Sequence, residues 1–253
     1  MTEPRLHVDA DLGAGAAVDL PKHQAHYLRN VMRLGAGAAV KLFNGRDGEW
    51  RAAVDRVSKN SMTLTVGEQL RPQAAEPDLW LLFAPIKGRR IDAIAEKASE
   101  LGCAEIRPVL TERTVVARVN VERLQANAVE AAEQCERLTL PVVREPEPLG
   151  DAIARWPADR RLLYADERAG AAPIARALAA AEPGGRWAVL IGPEGGFAPA
   201  EQDLVRALPQ ALPVSLGPRL LRADTACFAA LALWQAHLGD WRDGDGGQSD
   251  DAP

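Results

Sequence analysis

The sequence has few cysteines, and none of them is spaced for a metal site or a disulfide framework. Cys103, Cys135 and Cys227 lie far apart in a chain of 253 residues, and no CxxC pair occurs. Structural zinc sites and the disulfide frameworks of small secreted proteins both depend on closely spaced cysteines. We therefore expect neither a metal nor a disulfide scaffold, and the composition fits a reducing cytoplasm.

Long apolar runs are also missing. No stretch approaches the roughly 20 apolar residues that a membrane helix requires, and the N-terminal "MTEPRLHVDADL" has acidic residues but no apolar core of a signal peptide. The most apolar helix predicted, "DTACFAALALWQAHL", is too short to span a membrane and contains Gln235 and His237. We expect a soluble cytoplasmic protein with no membrane partner.

A strong charge of one sign is lacking too. The formal net charge is -5, but residues 239–253 contain five Asp and a single Arg and account for most of it. The rest of the chain is close to neutral and its first 72 residues are mildly basic, which permits a nucleic-acid partner without requiring one. Because residues 241–253 have so little apolar content, we expect them to form a disordered acidic tail.

Two domains are predicted in the remainder. Residues 1–72 contain the short β-prone runs "AVKLFNG", "EWRAAVDRV" and "MTLTV", separated by turn residues. One helix interrupts them in "KHQAHYLRNVMRL", with Asp19 as its candidate cap and Pro21 near its first position. A linker, "RPQAAEPD", follows, and residues 73–240 form the second domain.

The second domain has the pattern of an α/β fold with a parallel sheet. The apolar runs "LWLLFA", "RRLLYA" and "WAVLIG" alternate with helical segments, as expected of strands buried on both faces. Helical spacing from Ile91 to Leu101 ends at Gly102, a natural helix stop, and Asn120 can cap the next helix.

Two turns rich in glycine and proline each follow a predicted strand and precede a helix: "LIGPEGGFAPAEQDLV" and "LGPRLLRADT". "GPEGG" matches neither GxGxxG nor GxxxxGK[ST], and Glu194 would repel a phosphate. The ligand near this turn is therefore predicted to be neutral or cationic, although a solvent-exposed turn is the alternative. We expect the two turns to lie side by side and enclose a flat ligand.

Several charged residues next to these turns are candidates for binding an anion or a nucleic acid. Arg219 and Arg222 are three residues apart, so in a helical first turn they would share a face and could bind an anion or a base carbonyl. Lys87, Arg89 and Arg90 at a strand-to-helix junction suit a nucleic-acid backbone. The alternative for the first two arginines is that they lie at a helix start without a binding role. The alternative for the other three residues is a basic turn that only contacts solvent.

Polar residues also interrupt an Ala-rich helix in "AAEQCERLTLP". Glu133 and Arg137 have the i, i+4 spacing of a surface ion pair, which is the simplest interpretation from the sequence.

Five segments in order, "HYLRNVMRLGAGAAVKLFNG", "KGRRIDAIAEKASELGCAEIRPVLTER", "AAEQCERLTLP", "LIGPEGGFAPAEQDL" and "LGPRLLRADTA", resemble the ribosomal RNA small subunit methyltransferase E family. The resemblance covers about residues 5–238. It implies a PUA-like RNA-binding β-barrel followed by a SPOUT domain with a trefoil knot, a homodimer, and methylation of N3 of a uridine in 16S ribosomal RNA, free or in the small subunit, by S-adenosylmethionine.

The resemblance also implies which residues form the site. The methyl donor would contact two loops, and Glu194 in the first loop would lie near its cationic sulfonium. The residues of the two loops that would contact the donor are Leu190, Gly192, Glu194, Gly195, Gly196, Leu216, Gly217 and Leu221. RNA contacts are expected from basic residues of the same segments, namely Arg29, Arg33, Lys87, Arg89, Arg90, Arg137 and Arg219.

Methylation of a neutral uridine N3–H requires loss of its proton, and the charge then spreads onto the flanking carbonyl oxygens. Arg222 is the candidate for stabilising that charge. Glu133, Asp224 and Glu194 are, in that order, the candidate bases.

Two positions depart from the family pattern. Ala223 and Asp224 stand where the family usually has Thr and Glu in "RTETA", and Cys135 replaces the Ser of "EQS". The first departure removes a hydroxyl group at 223 and shortens the acid at 224, which puts a helix cap or a polar substrate contact of the family in doubt for this chain. Alternatives to uridine methylation are ribose 2′-O-methylation by another SPOUT enzyme and a non-catalytic RNA-binding factor for ribosome assembly.

Overall fold

A computed structural model describes residues 3–58, 61–116, 118–166 and 170–242. It divides the chain into two compact units. The first unit comprises the residues up to Ala75 together with Ala132–Leu140, and the second comprises Glu76–Ala131 and the residues from Pro141 on. The segment 132–140 thus belongs with the N-terminal residues, although it lies far from them in sequence. Of the expected tail 241–253, residues 243–253 lie outside the described residues.

The first unit is built on a five-stranded mixed sheet with the strand order β1-β3-β4-β5-β2, in which only β1 and β3 pair in parallel. Its elements are β1 (Arg5–His7), β2 (Ala17–Leu20), α1 (Lys22–His26), a π-helical turn (Tyr27–Val31), β3 (Ala39–Phe43), β4 (Glu49–Val57) and β5 (Met62–Arg71).

Strands β3, β4 and β5 confirm the three β-prone runs, whereas the predicted cap of the first helix is wrong. Asp19 lies inside β2, and its carboxylate accepts a hydrogen bond from the Thr63 hydroxyl of the paired strand at 2.6 Å. The residue at the N-cap of α1 is Pro21, which makes no side-chain cap. Asp19 is held by its β partner, so its side chain is not available to the helix.

A buried arginine fastens segment 132–140 to the sheet of the first unit. The Arg5 guanidinium pairs with Glu49 at 2.5 Å and donates to the carbonyl oxygens of Ala132 at 2.6 Å and Arg137 at 2.5 Å. It also stacks over the Phe43 ring at 3.7 Å. Arg71 reaches the same Glu49 carboxylate at 2.8 Å, so the buried acid has two cationic partners.

The second unit contains a parallel sheet with helices on both faces. Its strands are β6 (Leu79–Phe83), β7 (Glu105–Leu110), β8 (Val142–Val143), β9 (Glu147–Pro148), β10 (Arg160–Ala165), β11 (Ala172–Pro173), β12 (Arg186–Ile191) and β13 (Ala211–Ser215). Its helices are α2 (Arg90–Glu100), α3 (Val121–Gln134, whose last turn falls in segment 132–140), α4 (Leu149–Ala154), α5 (Ile174–Ala179), α6 (Pro199–Arg206) and α7 (Ala223–Leu238).

The strands follow the order β11-β13-β10-β12-β6-β7-β8, all in parallel, and β9 also pairs with β7. Alternate residues of the central strands β6, β10 and β12 face two separate apolar cores, as in any strand buried on both faces. In β12, Val189 and Ile191 pack with α2, α5 and α7, whereas Ala188 and Leu190 pack with α4 and α6.

Three sequence patterns of the second unit are confirmed. The three apolar runs form β6, β10 and β12. Gly102 ends α2 with φ +75°, and the Asn120 side chain accepts the Arg123 N–H at 2.9 Å at the start of α3. Among the described residues, no helix is both long and apolar enough to cross a membrane.

Candidate active site

A cavity of about 590 Å³ opens at the carboxyl ends of β12, β10 and β13. Its volume lies within the range of about 300–1,000 Å³ that is usual for small-molecule sites, and this edge of a parallel sheet is where such sites form. Both glycine-rich turns line it, as the sequence predicts. The strands that precede the two turns are not direct neighbours, however, because β10 pairs with both β12 and β13 and lies between them.

Five of the eight expected donor-contacting residues line the cavity: Gly192, Glu194, Leu216, Gly217 and Leu221. Of the other three, Leu190 is buried in the apolar core beside α4 and α6, and Gly195 and Gly196 lie in the turn that follows Glu194.

The loop after β12, residues 192–197, requires small residues for two different reasons. A Cβ atom on Gly192 would lie 2.6 Å from Cε2 of Phe197, whose ring is buried and packs edge-on against Tyr164. Gly196 has φ +67° and donates its N–H to the Pro193 carbonyl at 2.8 Å, which closes the turn. The loop therefore presents backbone to the cavity and an aromatic ring to the core.

Glu194 at the tip of this loop has a cationic partner within the protein. Its carboxylate lies 2.7 Å from a guanidinium nitrogen of Arg90, the first residue of α2. The two groups attract by charge without the alignment of a good hydrogen bond, since that nitrogen has no hydrogen-bond partner. An acidic residue in a glycine turn is thus balanced by a basic residue from the neighbouring strand-to-helix junction.

The loop after β13 brings two arginines to the cavity, but not through helical spacing. Helix α7 begins at Ala223, so Arg219 and Arg222 both precede it, and the prediction that they share a face of its first turn is wrong. Both line the cavity and both are exposed. Gly217 has φ +112°, which only glycine adopts easily, and it lets the chain turn away from the strand.

A third loop, after β10, was not predicted to contribute. Asp166 lines the cavity, although its side chain is fully buried, and it accepts a hydrogen bond from Nε of Arg206 at 2.7 Å. Gly170 and Ala171 line the same wall. The signal was present in "RRLLYADERAG", an apolar strand followed by an acid and a glycine, but that segment lacks the Gly-Pro pair of the other two turns.

The catalytic candidates other than Glu194 occupy three different places. Arg222 lines the cavity, and Asp224 lies in the first turn of α7, where its carboxylate accepts the Thr225 N–H at 3.1 Å. Glu133 belongs to the first unit, and its carboxylate accepts the His7 N–H at 2.9 Å. Helix α3 ends at Gln134, before Arg137, so Glu133 and Arg137 are not on successive turns of one helix as their i, i+4 spacing predicts.

The expected RNA-binding residues are mostly exposed. In the second unit, Lys87 and Arg89 are exposed beside Arg90. In the first unit, Arg29 donates to the Ser58 carbonyl at 2.7 Å, and Arg33 is exposed in a left-handed backbone conformation with φ +57°.

Neither a thiolate nor a metal is indicated as the reactive group. Cys227 lies on α7 next to the cavity-lining Ala226, and burial raises the pKa of its thiol well above the usual range. Among the residues that the structure describes, no group of three or more His, Cys, Asp or Glu is placed to hold a metal ion.

Comparison with known proteins finds two family models along the chain. Residues 74–235 match the family model of an RNA methyltransferase domain, and residues 20–67 match that of an RNA methyltransferase PUA domain. The chain is 31% identical to the ribosomal RNA small subunit methyltransferase E of Rickettsia conorii over 90% of this chain and 93% of that protein. The chain belongs to the ribosomal RNA small subunit methyltransferase E family.

Solved structures agree with membership in the methyltransferase E family. The ribosomal RNA small subunit methyltransferase E of Neisseria gonorrhoeae, bound to S-adenosyl methionine, has a TM-score of 0.85 and 28% identity, over 95% of this chain and 100% of that chain. A methyltransferase of Legionella pneumophila, in complex with the cofactor SAM, has a TM-score of 0.84 and 28% identity over the same shares. The fold and the family are therefore shown on both units of the chain.

Proposed function

We propose that this protein transfers a methyl group from S-adenosylmethionine to N3 of a uridine in 16S ribosomal RNA. The observation that carries the proposal is the cavity at the carboxyl ends of β12, β10 and β13, which is lined by both glycine-rich turns and by Arg222. The similar structures from Neisseria gonorrhoeae and Legionella pneumophila have been solved with the same donor bound.

The lining of the cavity fits a zwitterionic, sulfonium-bearing donor. Asp166 and Glu194 contribute negative charge, and Arg219 contributes positive charge. Backbone replaces side chains at Gly192, where a Cβ atom would meet Phe197. Such a surface can present N–H and C=O groups to an adenine and a methionine moiety without the repulsion that a phosphate would meet at Glu194.

When bound, S-adenosylmethionine supplies an electrophilic methyl group; the residues of this chain must prepare the nucleophile. Arg222 is exposed at the cavity and can donate to a uracil carbonyl oxygen, which stabilises the negative charge that develops as the N3 proton leaves. The proton goes to a carboxylate or to water, and Glu133, Asp224 and Glu194 are the candidate acceptors. Glu194 is the weakest of the three because Arg90 already balances its charge.

The RNA would be bound by basic residues on both units. We assign this role to Arg29, Arg33 and Arg137 of the first unit and to Lys87, Arg89, Arg90 and Arg219 of the second. The match of residues 20–67 to a methyltransferase PUA domain supports RNA binding by the first unit. We propose that the partner is 16S ribosomal RNA, free or in the small ribosomal subunit, and that the protein acts in the cytoplasm.

We further infer a trefoil knot in the second unit and a homodimer. The knot rests on the resemblance to the methyltransferase E family, which implies a SPOUT domain for the second unit. The homodimer rests on the resemblance to SPOUT enzymes.

Titration calorimetry with S-adenosylmethionine tests whether the cavity is a donor site. We expect saturable binding, with competition by S-adenosylhomocysteine. The absence of heat of binding at about millimolar donor, where a functional site would be saturated, would mean that the protein is a non-catalytic RNA-binding factor.

A further inference from the structure

The donor loop 192–197 rests on a second loop that does not line the cavity. This second loop is the turn Thr111–Thr114, which follows β7. Two side chains, Arg113 and Glu201, connect the turn to the donor loop or to its end, and hydrogen bonds within the turn brace it. All of these residues lie in the second unit.

The first contact is a hydrogen bond from Arg113 to the middle of the donor loop. Nη1 of Arg113 donates to the Gly195 carbonyl at 2.8 Å. The aliphatic stem of Arg113 covers Gly195, since a Cβ atom on this glycine would lie 3.7 Å from the Cδ atom of Arg113. One arginine thus fixes both the direction of a carbonyl group and the space beside it.

The second contact is made by a single carboxylate at the end of the donor loop. One oxygen of Glu201 accepts the Ala198 N–H at 2.9 Å and so caps α6, while its other oxygen accepts the Glu112 N–H at 2.8 Å. Both backbone groups are therefore tied to the same side chain, which sets the distance between the end of the donor loop and the turn after β7.

The turn itself is internally braced. The Thr111 N–H donates to Oγ1 of Thr114 at 2.9 Å, the Thr114 N–H donates to the Thr111 carbonyl at 3.0 Å, and the two hydroxyl groups lie 2.8 Å apart. Thr111 is buried. A braced turn can hold another loop in one conformation, whereas a mobile turn would move with it.

We propose that Arg113 is a positioning residue for donor binding, which acts by holding the loop 192–197 in the conformation that the donor requires. This inference rests on the proposed function and adds a residue that has no contact with the cavity. A loop that is already ordered loses less conformational entropy when a ligand binds, so removal of its support weakens affinity.

Calorimetry of Arg113→Ala with S-adenosylmethionine, in the absence of RNA, tests the proposal. One lost hydrogen bond of ordinary strength corresponds to an increase of about three- to tenfold in the donor Kd. In steady-state transfer assays the KM for the donor should rise by a similar factor while kcat at saturating donor changes less than about twofold. Arg113→Lys, which keeps one donor group, should restore part of the affinity.

Arg155→Ala is the matched control. Arg155 is an exposed arginine of the same unit whose guanidinium pairs with Glu147, and it has no contact with the donor loop. This variant should bind S-adenosylmethionine as the wild type does. The melting temperature of each unliganded variant is measured in parallel, and we expect that of Arg113→Ala to match the control.

Donor affinity of Arg113→Ala equal to that of the wild type overturns the inference. It is also overturned if the melting temperature of Arg113→Ala falls well below that of Arg155→Ala, since the residue would then stabilise the fold in general, or if only the KM for RNA rises. A wild-type protein that does not bind S-adenosylmethionine contradicts the proposed function itself, and this outcome is distinguishable from the others.

Discussion

Two arginine–glutamate ion pairs of this protein have the same chemistry but differ in how far their side chains are exposed to solvent. In the first unit, the side chains of Arg5 and Glu49 are 5% and 3% exposed, and Arg5 also binds two carbonyl oxygens. In the second unit, the side chains of Arg90 and Glu194 are 33% and 56% exposed, at the edge of the cavity. The first pair is enclosed by the fold, and the second is open to a ligand.

This difference in burial assigns the two pairs different roles. A buried charge that loses its partner is costly, so removal of Arg5 should destabilise the first unit and loosen the attachment of segment 132–140. A half-exposed pair contributes little stability because water screens it. The arginines that remain accessible at the cavity, Arg219 and Arg222, are therefore the ones free to act on a substrate.

The largest expected effect on stability is that of Arg5→Ala. The substitution leaves Glu49 buried with Arg71 as its remaining cationic partner and removes the donors of two carbonyl oxygens, which should cost about 3 kcal/mol or more in the free energy of unfolding. Urea denaturation measures this cost. A loss below about 1 kcal/mol, the value for exposed pairs, would remove the contrast between the two pairs.

Arg222→Ala should have a comparably large effect, but on catalysis. Loss of a donor that stabilises developing negative charge typically lowers the rate by about 10²-fold, equivalent to about 2.7 kcal/mol. Single-turnover methyl transfer should show this loss while calorimetry gives an unchanged donor Kd. Equal losses of rate and donor affinity would place Arg222 in the donor site instead.

Gly192→Ala tests the close packing of the donor loop. The added Cβ atom would lie 2.6 Å from the Phe197 ring, so either the ring or the loop must move, and overpacking of this kind costs about 1–3 kcal/mol. We expect the donor Kd to rise by about tenfold, a change of about 1.4 kcal/mol. The same change at Gly150, where a Cβ atom would meet nothing within 4 Å, should leave the donor Kd unaltered.

The buried pair should make the stability of the protein depend on pH. Burial would raise the pKa of Glu49, but hydrogen bonds from Arg71 and Arg5 outweigh it and lower the pKa below its ordinary value. A lowered pKa in the folded state gives stability that is present above the ordinary glutamate pKa and is lost as the pH falls through the folded-state value.

Thermal denaturation from about pH 6 to about pH 3 measures this dependence. The wild type should lose stability faster on acidification than Glu49→Gln, which has no charge to lose at that site. Parallel curves for the two proteins would mean that Glu49 does not carry the dependence.

The smallest expected effect is that of Glu194→Gln. Because the pair with Arg90 is half-exposed, its loss should change the free energy of unfolding by less than about 0.5 kcal/mol. Urea denaturation checks this value. A cost as large as that of Arg5→Ala would show that burial does not separate the two pairs.

Much of the fold was predictable because the information was local. The apolar runs that form β6, β10 and β12 and the helix stop at Gly102 can each be recognised within about ten residues of sequence. The two glycine-rich turns that line the cavity were predicted for the same reason, since a strand followed by Gly-Pro is a local pattern.

The features that were missed depend on residues distant in sequence. The Arg5 cluster joins β1 to carbonyl groups more than 120 residues away, and Asp19 is occupied by Thr63 on a paired strand. The order of strands, which places β10 between the two glycine loops and brings Asp166 to the cavity, is also a property of the whole sheet. No local pattern encodes such contacts.

Transfer of a tritiated methyl group from S-adenosylmethionine to small ribosomal subunits that lack the modification tests the central claim most directly. After nuclease digestion, mass spectrometry locates the methylated atom. We predict a single labelled uridine methylated at N3. Label on a ribose 2′ oxygen, or no label in the presence of saturating donor, would contradict the account.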